Sequence, residues 1–181
     1  MHRRPTTIPR GFTIVETAVA IVIIGTGVLG LVAAQQAWHD QSAWAERAAV
    51  ATRLGNEIRE MTFNVSRHDP VTGAATWGPE SNEVGLEDFD DLDDFDGADG
   101  TGLVLSGSDG TGPVNAMRQL IPGMTHWTQT IRVFNVDPGD VNTDVLDAAS
   151  DMMRVEVVID WQGPGEAEPV MMTTVGWLAP R

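Results

Sequence analysis

Apolar residues dominate the first part of the chain, and polar positions recur regularly only further along it. From Phe12 to Ala34 the residues are almost all apolar, and no Asp, Glu, Lys or Arg lies between Glu16 and Asp40. As a helix, this stretch of 23 residues would be ~34 Å long at 1.5 Å per residue. A bilayer's hydrocarbon core is roughly 30 Å thick. The pattern therefore predicts a transmembrane helix, which we place at residues 12–36.

A second helical pattern follows at residues 37–63. Apolar residues recur there at helical spacing, and the charged residues fall mostly on the other side. The apolar stripe consists of Trp44, Ala48, Ala51, Leu54, Ile58 and Met61. We predict an amphipathic extracytoplasmic helix that continues the transmembrane helix without a break, and we expect Trp44 and Ile58 to lie in the core.

Strand patterns are confined to the C-terminal part of the chain. Residues 127–136, 152–161 and 170–178 are rich in β-branched and aromatic side chains. The second run alternates, with Met153, Val155, Val157, Ile159 and Trp161 on one face. A Gly/Pro-rich turn separates the last two runs and predicts an antiparallel hairpin. The sequence thus predicts an α+β fold, in which the long helix packs against a small antiparallel sheet at residues 126–181.

Residues 64–125 form an acidic, glycine-rich connecting region that we predict to be mostly irregular. No Lys or Arg lies between His68 and Met117. Within this region, Phe89, Leu92 and Phe95 stand at every third position among aspartates. That spacing predicts a short apolar edge turned inward, with the carboxylates facing water.

Composition and charge exclude several classes of function. The 181 residues carry 26 Asp and Glu against 11 basic residues, all Arg, for a net charge of -15. A surface of this charge repels phosphate backbones, so we expect no nucleic-acid partner. The absence of cysteine rules out disulfides and thiolate chemistry. No histidine pair has metal-ligand spacing and no catalytic constellation is evident, so we expect the protein not to be an enzyme.

Closely spaced aspartates next to glycine are typical of Ca²⁺ sites, since Ca²⁺ takes six to eight oxygen ligands. The candidate ligands are Asp91, Asp93, Asp94, Asp96 and Asp99. The strict EF-hand pattern is absent. Two interpretations stay open, a solvated acidic loop held by Phe89 and Phe95, or a Ca²⁺ site. We expect no other cofactor.

Glu16 is out of place in an apolar run, because a charge at mid-membrane costs roughly 3 kcal/mol. No basic residue lies within a helical turn or two on the apolar side of Gly11. Arginines in the preceding leader, residues 1–11, would keep that end cytoplasmic. Cleavage between Gly11 and Phe12 would create an α-ammonium at Phe12, which the Glu16 carboxylate of a neighbouring copy could neutralise.

The residues from Gly11 to Glu16, after a basic leader and before an apolar helix, resemble the class III signal of type IV prepilins and pseudopilins. The acidic stretch from Trp77 to Gly97 is similar to loops of PilV-like and MshD-like minor pilins. The C-terminal strand pattern resembles that of PilV-like minor pilins and of the I-type pseudopilin of type II secretion. The resemblance implies cleavage after Gly11 by the prepilin peptidase, N-methylation of Phe12, and a role for Glu16 in subunit assembly. The C-terminal cysteine pair of many pilins is missing here.

By this resemblance, the chain is a non-catalytic minor pilin or pseudopilin of a type IV pilus-like or type II secretion filament. It would lie in the inner membrane with a cytoplasmic N-terminus and a periplasmic or extracellular head. Its partners would be the prepilin peptidase and other pilin or pseudopilin subunits. Gly25, Gly27 and Gly30 fit either ordinary helix packing in lipid or local melting in a filament.

A different class of function also stays open. The chain could be a membrane-anchored or secreted acidic module that binds Ca²⁺ or mediates adhesion. Its first residues would then be an ordinary signal sequence, cut after Val32-Ala33-Ala34, or an uncleaved signal anchor.

Overall fold

The computed structural model describes residues 11, 13–73 and 76–179. One helix, α1, runs from Ile14 to Thr62 over 49 residues, as the continuous hydrophobic and amphipathic patterns predict. The chain forms two compact units, residues 1–45 and 46–181. We refer to their described parts as the N-terminal segment and the head.

The N-terminal segment exposes its apolar side chains along almost its whole length. By length and composition, α1 is able to cross a membrane or to act as a signal. The prediction that Trp44 lies in the core is wrong, because its side chain is 56% exposed. The apolar helical residues packed against the core begin only at Val50, so Trp44 precedes the point at which the apolar stripe has packing partners.

The head contains a five-stranded antiparallel sheet. Its strands are β1 (Leu103–Ser106), β2 (Trp127–Asp137), β3 (Asp140–Asp144), β4 (Met153–Trp161) and β5 (Val170–Leu178). Their order is β1-β2-β4-β5, and β3 pairs with the end of β2. The structure confirms the three predicted runs and the hairpin formed by β4 and β5.

Strands β1 and β3 were not predicted, and both are short. β1 has four residues and lies inside the connecting region that we expected to be mostly irregular. β3 has five residues, of which four are exposed, so it carries no apolar alternation. Both pair with the long strand β2. Their extended conformation therefore depends on a tertiary partner rather than on a local pattern.

The hydrophobic core of the head lies between the last turns of α1 and one face of the sheet. The helix contributes Ala51, Leu54, Ile58 and Met61, all buried. The sheet contributes the alternating positions of β4, of which Met153, Val155, Val157 and Ile159 are fully buried. Both sets match the predicted apolar faces, which confirms the α+β arrangement of a helix packed against an antiparallel sheet.

One buried polar side chain, that of Gln129 on β2, ties the helix to the sheet. Its Nε2 donates hydrogen bonds to the carbonyl oxygens of Leu54 at 3.0 Å and Val114 at 3.2 Å. Its Oε1 accepts one from the Val114 amide at 2.8 Å. Buried polar groups require such partners, because leaving them unpaired costs a desolvation penalty.

The acidic part of the connecting region folds onto the core through its apolar residues. Phe89, Leu92 and Phe95 are buried as predicted, and the two phenylalanine rings meet edge to face at 5.5 Å between centroids. The expectation that the carboxylates face water is wrong for four of them. Asp91, Asp93, Asp94 and Asp96 are buried as well.

A 3-10 turn at Asp93–Asp96 explains this burial. Backbone amides in the turn and just before it donate hydrogen bonds to neighbouring carboxylates. The Asp94 amide donates to Asp91 Oδ1 at 3.2 Å, and the Asp91 amide donates to Asp94 Oδ2 at 3.1 Å. These reciprocal bonds partly offset the cost of taking the carboxylates out of water.

Candidate functional site

The first candidate site is the start of α1, where Glu16 closes a hydrogen-bonded ring with Thr13. Glu16 Oε2 accepts hydrogen bonds from the Thr13 amide at 2.9 Å and from Thr13 Oγ1 at 3.0 Å. Thr13 Oγ1 accepts one from the Glu16 amide at 3.2 Å. This is a capping box, in which the residue before the helix and the third helical residue satisfy each other's free amides.

The capping box gives Glu16 a local structural role that the sequence-based interpretation did not include. Its signal, a Thr followed three residues later by a Glu before an apolar run, was present at residues 13–16. From Ile14 to Trp38, Glu16 is still the one ionisable side chain. Gly11 is exposed. Phe12, the predicted site of cleavage and N-methylation, lies outside the described residues.

The five aspartates proposed as Ca²⁺ ligands are not brought together as one set. Asp91 and Asp94 bind each other's amides, and Asp93 faces His68. Asp96 accepts hydrogen bonds from the Val133 amide at 3.1 Å and Trp77 Nε1 at 3.2 Å. Asp99 is exposed and binds Thr101.

The structure instead places two glutamate carboxylates beside Asp94. One oxygen each of Glu80, Glu83 and Asp94 lies within 4.8 Å of the other two. We call these three side chains the acidic cluster. A second group, Asp90, Asp91 and Asp94, shares Asp94. The two glutamates lie outside the aspartate-rich run, and a tight turn, in which the Glu83 amide donates to the Glu80 carbonyl oxygen, brings them together.

Two oxygens of the acidic cluster are buried without a hydrogen-bond partner among the described residues. They are Glu80 Oε2 and Asp94 Oδ1, and Asp94 as a whole is only 1% exposed. The other oxygens of these two carboxylates are occupied. Glu80 Oε1 accepts from Thr72 Oγ1 at 2.9 Å, and Asp94 Oδ2 accepts from the Asp90 and Asp91 amides.

Burial makes the negative charge here expensive. It raises the pKa of Asp91 to about 8, with a further contribution from neighbouring Asp93. Burial also raises the pKa of Asp93 and of Asp94 to about 6 each. The pKa of both cluster glutamates is raised as well, chiefly by desolvation. The site therefore favours either protons or a cation.

Basic side chains neutralise little of this negative charge. His68 Nδ1 lies 3.9 Å from Asp93 Oδ1. The guanidinium of Arg118 donates hydrogen bonds to the carbonyl oxygens of Leu86 and Glu87. Within residues 13–73 and 76–179, no arginine lies at ion-pair distance from a carboxylate of the acidic cluster.

The chain matches no known family model, and no curated protein or solved structure is significantly similar to it. Its architecture is nevertheless pilin-like. A long helix with an apolar N-terminal part continues into an amphipathic part, which packs on a C-terminal antiparallel sheet.

Proposed function

We propose that the chain is a non-catalytic structural subunit, a minor pilin or pseudopilin, of a type IV pilus-like or type II secretion filament. One observation supports this most strongly. A single helix is apolar and uncharged in the part that follows Glu16, and its last turns pack against the sheet of an α+β head. Such a helix suits a subunit that is stored in a membrane and assembled through its apolar segment.

In this proposal the prepilin peptidase cleaves after Gly11, and Phe12 becomes the N-methylated first residue. The subunit is held in the inner membrane with its N-terminus on the cytoplasmic side and its head outside. Other pilin or pseudopilin subunits are its partners. We expect neither nucleic-acid binding nor catalysis.

Glu16 has two possible tasks in such a subunit, and they make different demands. As part of the capping box it needs an oxygen acceptor facing Thr13, which glutamine also provides. As the partner of the Phe12 ammonium on a neighbouring subunit it needs its negative charge. We propose that assembly depends on the charge, since a hydrogen bond to a charged group contributes ~1.5–3 kcal/mol.

The decisive experiment separates these tasks with two variants in the native host. Glu16→Gln keeps an acceptor for the capping box and removes the charge, whereas Thr13→Val removes the side-chain cap and keeps the charge. We expect Glu16→Gln to be processed normally but to enter filaments ~10-fold less or worse, since 1.4 kcal/mol is a factor of ten. Thr13→Val should assemble like the wild type.

The result that would overturn the charge role is the reverse pattern, with Glu16→Gln assembled normally. Mass spectrometry of the mature N-terminus tests the processing step separately, and N-methylphenylalanine at position 12 is the expected result. A mature chain that begins at Gln35 or Met1 would favour the alternative function, a secreted or membrane-anchored acidic module that binds Ca²⁺ or mediates adhesion.

A further inference from the structure

We propose that the acidic cluster, formed by Glu80, Glu83 and Asp94, binds one Ca²⁺ ion. The proposal concerns the head alone and does not rest on the filament function. Its ligand set differs from the aspartate run that the sequence suggested. It shares with that run only Asp94.

The geometry of the acidic cluster suits a single large cation. Ca²⁺ binds oxygens at about 2.3–2.6 Å, so ligands on opposite sides of one ion are about 4.6–5.2 Å apart. The three carboxylate oxygens lie within 4.8 Å of one another. One ion placed between them can therefore contact all three.

The hydrogen bonds around the acidic cluster leave one oxygen of Glu80 and one oxygen of Asp94 free. Thr72 occupies one oxygen of Glu80, and the Asp90 and Asp91 amides occupy one oxygen of Asp94. These bonds fix the orientation of both carboxylates. The remaining oxygens, Glu80 Oε2 and Asp94 Oδ1, are buried and have no hydrogen-bond partner in the part of the chain that the structure describes. A buried, oriented and unpaired carboxylate oxygen is the ligand that a cation requires.

Charge leads to the same conclusion. Three carboxylates share a small volume, and the described residues place no arginine at ion-pair distance from them. The sequence contains no lysine at all. Like charges at this separation repel one another strongly, and more so where water is partly excluded. A divalent cation relieves this repulsion in one step.

The donor set favours Ca²⁺ over other divalent metals. All three side chains offer oxygen, whereas Zn²⁺ sites are built mainly from Cys and His. Mg²⁺ demands a near-ideal octahedron at 2.0–2.1 Å and keeps several waters. The acidic cluster combines two glutamates from an irregular turn with one buried aspartate, so its ligands have no regular geometry. Ca²⁺ tolerates such a set because its coordination is flexible.

Binding would fasten the outer loop of the head to its core. Glu80 and Glu83 belong to an irregular loop, whereas Asp94 belongs to the 3-10 turn whose Phe95 is fully buried. The next acid, Asp96, is bonded to the β2 backbone at Val133. A cation at the acidic cluster therefore links the loop to the sheet through a short, rigid path, and it stabilises the folded head.

The test uses the full chain in detergent, stripped with EDTA and titrated calorimetrically with CaCl₂. We expect one ion per chain with a Kd of about 10⁻⁴–10⁻³ M, the range of extracellular Ca²⁺ modules. At a concentration ~100-fold above Kd, the melting temperature should rise by about 5–10 °C. MgCl₂ at the same concentration should give a clearly smaller rise.

The variant Glu80→Gln/Glu83→Gln removes two of the three charged ligands, and it should lose the Ca²⁺-dependent rise. A matched control, Glu87→Gln/Glu168→Gln, removes the same charge at two exposed positions and should respond like the wild type. Melting in EDTA shows that both variants fold. The proposal is overturned if Ca²⁺ neither binds nor raises the melting temperature. An equal effect of Mg²⁺, or an equal response of the Glu80/Glu83 variant, overturns it as well.

Discussion

A β-carbon at position 55 of α1 would lie 2.6 Å from Cγ2 of Val175 on β5. Gly55 and Val175 therefore form a contact between helix backbone and sheet side chain that no larger residue at position 55 permits. The same site is 3.9 Å from Cγ1 of Ile159 on β4. Glycine at this position lets the helix approach the sheet closely, even though glycine weakens a helix interior.

We predict that Gly55→Ala destabilises the head. Alanine improves helix propensity by about 1 kcal/mol, but overpacking a closed core typically costs about 1–3 kcal/mol. Val175 is β-branched and cannot swing aside easily. Urea denaturation should show a lower midpoint. In a Val175→Ala background the same substitution should be neutral or stabilising, and a higher midpoint for Gly55→Ala alone would contradict the prediction.

Replacing Gln129 should lower the free energy of unfolding by more than the average net contribution of a hydrogen bond, because it leaves buried polar groups unpaired. Gln129→Met keeps the size of the side chain but leaves the Leu54 carbonyl and both backbone groups of Val114 without this partner. We expect a loss of about 2–3 kcal/mol in the free energy of unfolding. Thr130→Val, at the half-buried neighbouring position, serves as the control and should stay within about 0.5 kcal/mol. A neutral Gln129→Met would show that the network contributes little.

Phe95 should anchor the acidic loop, whereas Phe63 should not matter. Phe95 is fully buried and Phe63 is 59% exposed. Truncating a buried phenylalanine to alanine typically costs about 3–5 kcal/mol, so Phe95→Ala should lower the melting temperature strongly and Phe63→Ala only slightly. Comparable losses in the two variants would contradict the burial seen here.

Asp160 on β4 should make the head less stable as the pH rises. Burial raises the pKa of its carboxyl above the ordinary 3.8. The folded state therefore holds the proton more tightly than the unfolded state, and the penalty for ionisation grows as the pH rises above 3.8 and is complete above the raised pKa. Asp160→Asn should raise the melting temperature at neutral pH and leave it unchanged near about pH 3. Glu168→Gln, an exposed control, should show no such difference.

The parts of the fold that the sequence predicted are those in which a residue's surroundings follow from its own periodicity. Alternation at Met153, Val155 and Val157 predicted a buried strand face, and the helical spacing of Leu54 and Ile58 predicted a buried stripe. Trp44 matched the stripe in spacing but not in environment. Periodicity predicts which residues share a face, whereas burial depends on whether another element covers that face.

In the candidate sites, too, local patterns were predictable from the sequence and tertiary contacts were not. The charge of Glu16 in an apolar run was visible from the sequence, and its bond to Thr13 follows a known local pattern. The acidic cluster was not predictable, because Glu80 and Asp94 are brought together by an irregular turn and a 3-10 turn. Neither turn has a periodic signature. Counting aspartates pointed to the same segment of the chain, but it did not include Glu80 and Glu83.

The packing of α1 on the sheet has a consequence for how the protein is made. The helix residues that meet Ile159 are synthesised roughly 100 residues before it. At a translation rate of about 5–20 residues per second, the apolar stripe waits ~5–20 s for its partner strand. During that interval the nascent chain displays Leu54 and Ile58 uncovered, so the apolar stripe is open to non-native contacts until β4 has been made.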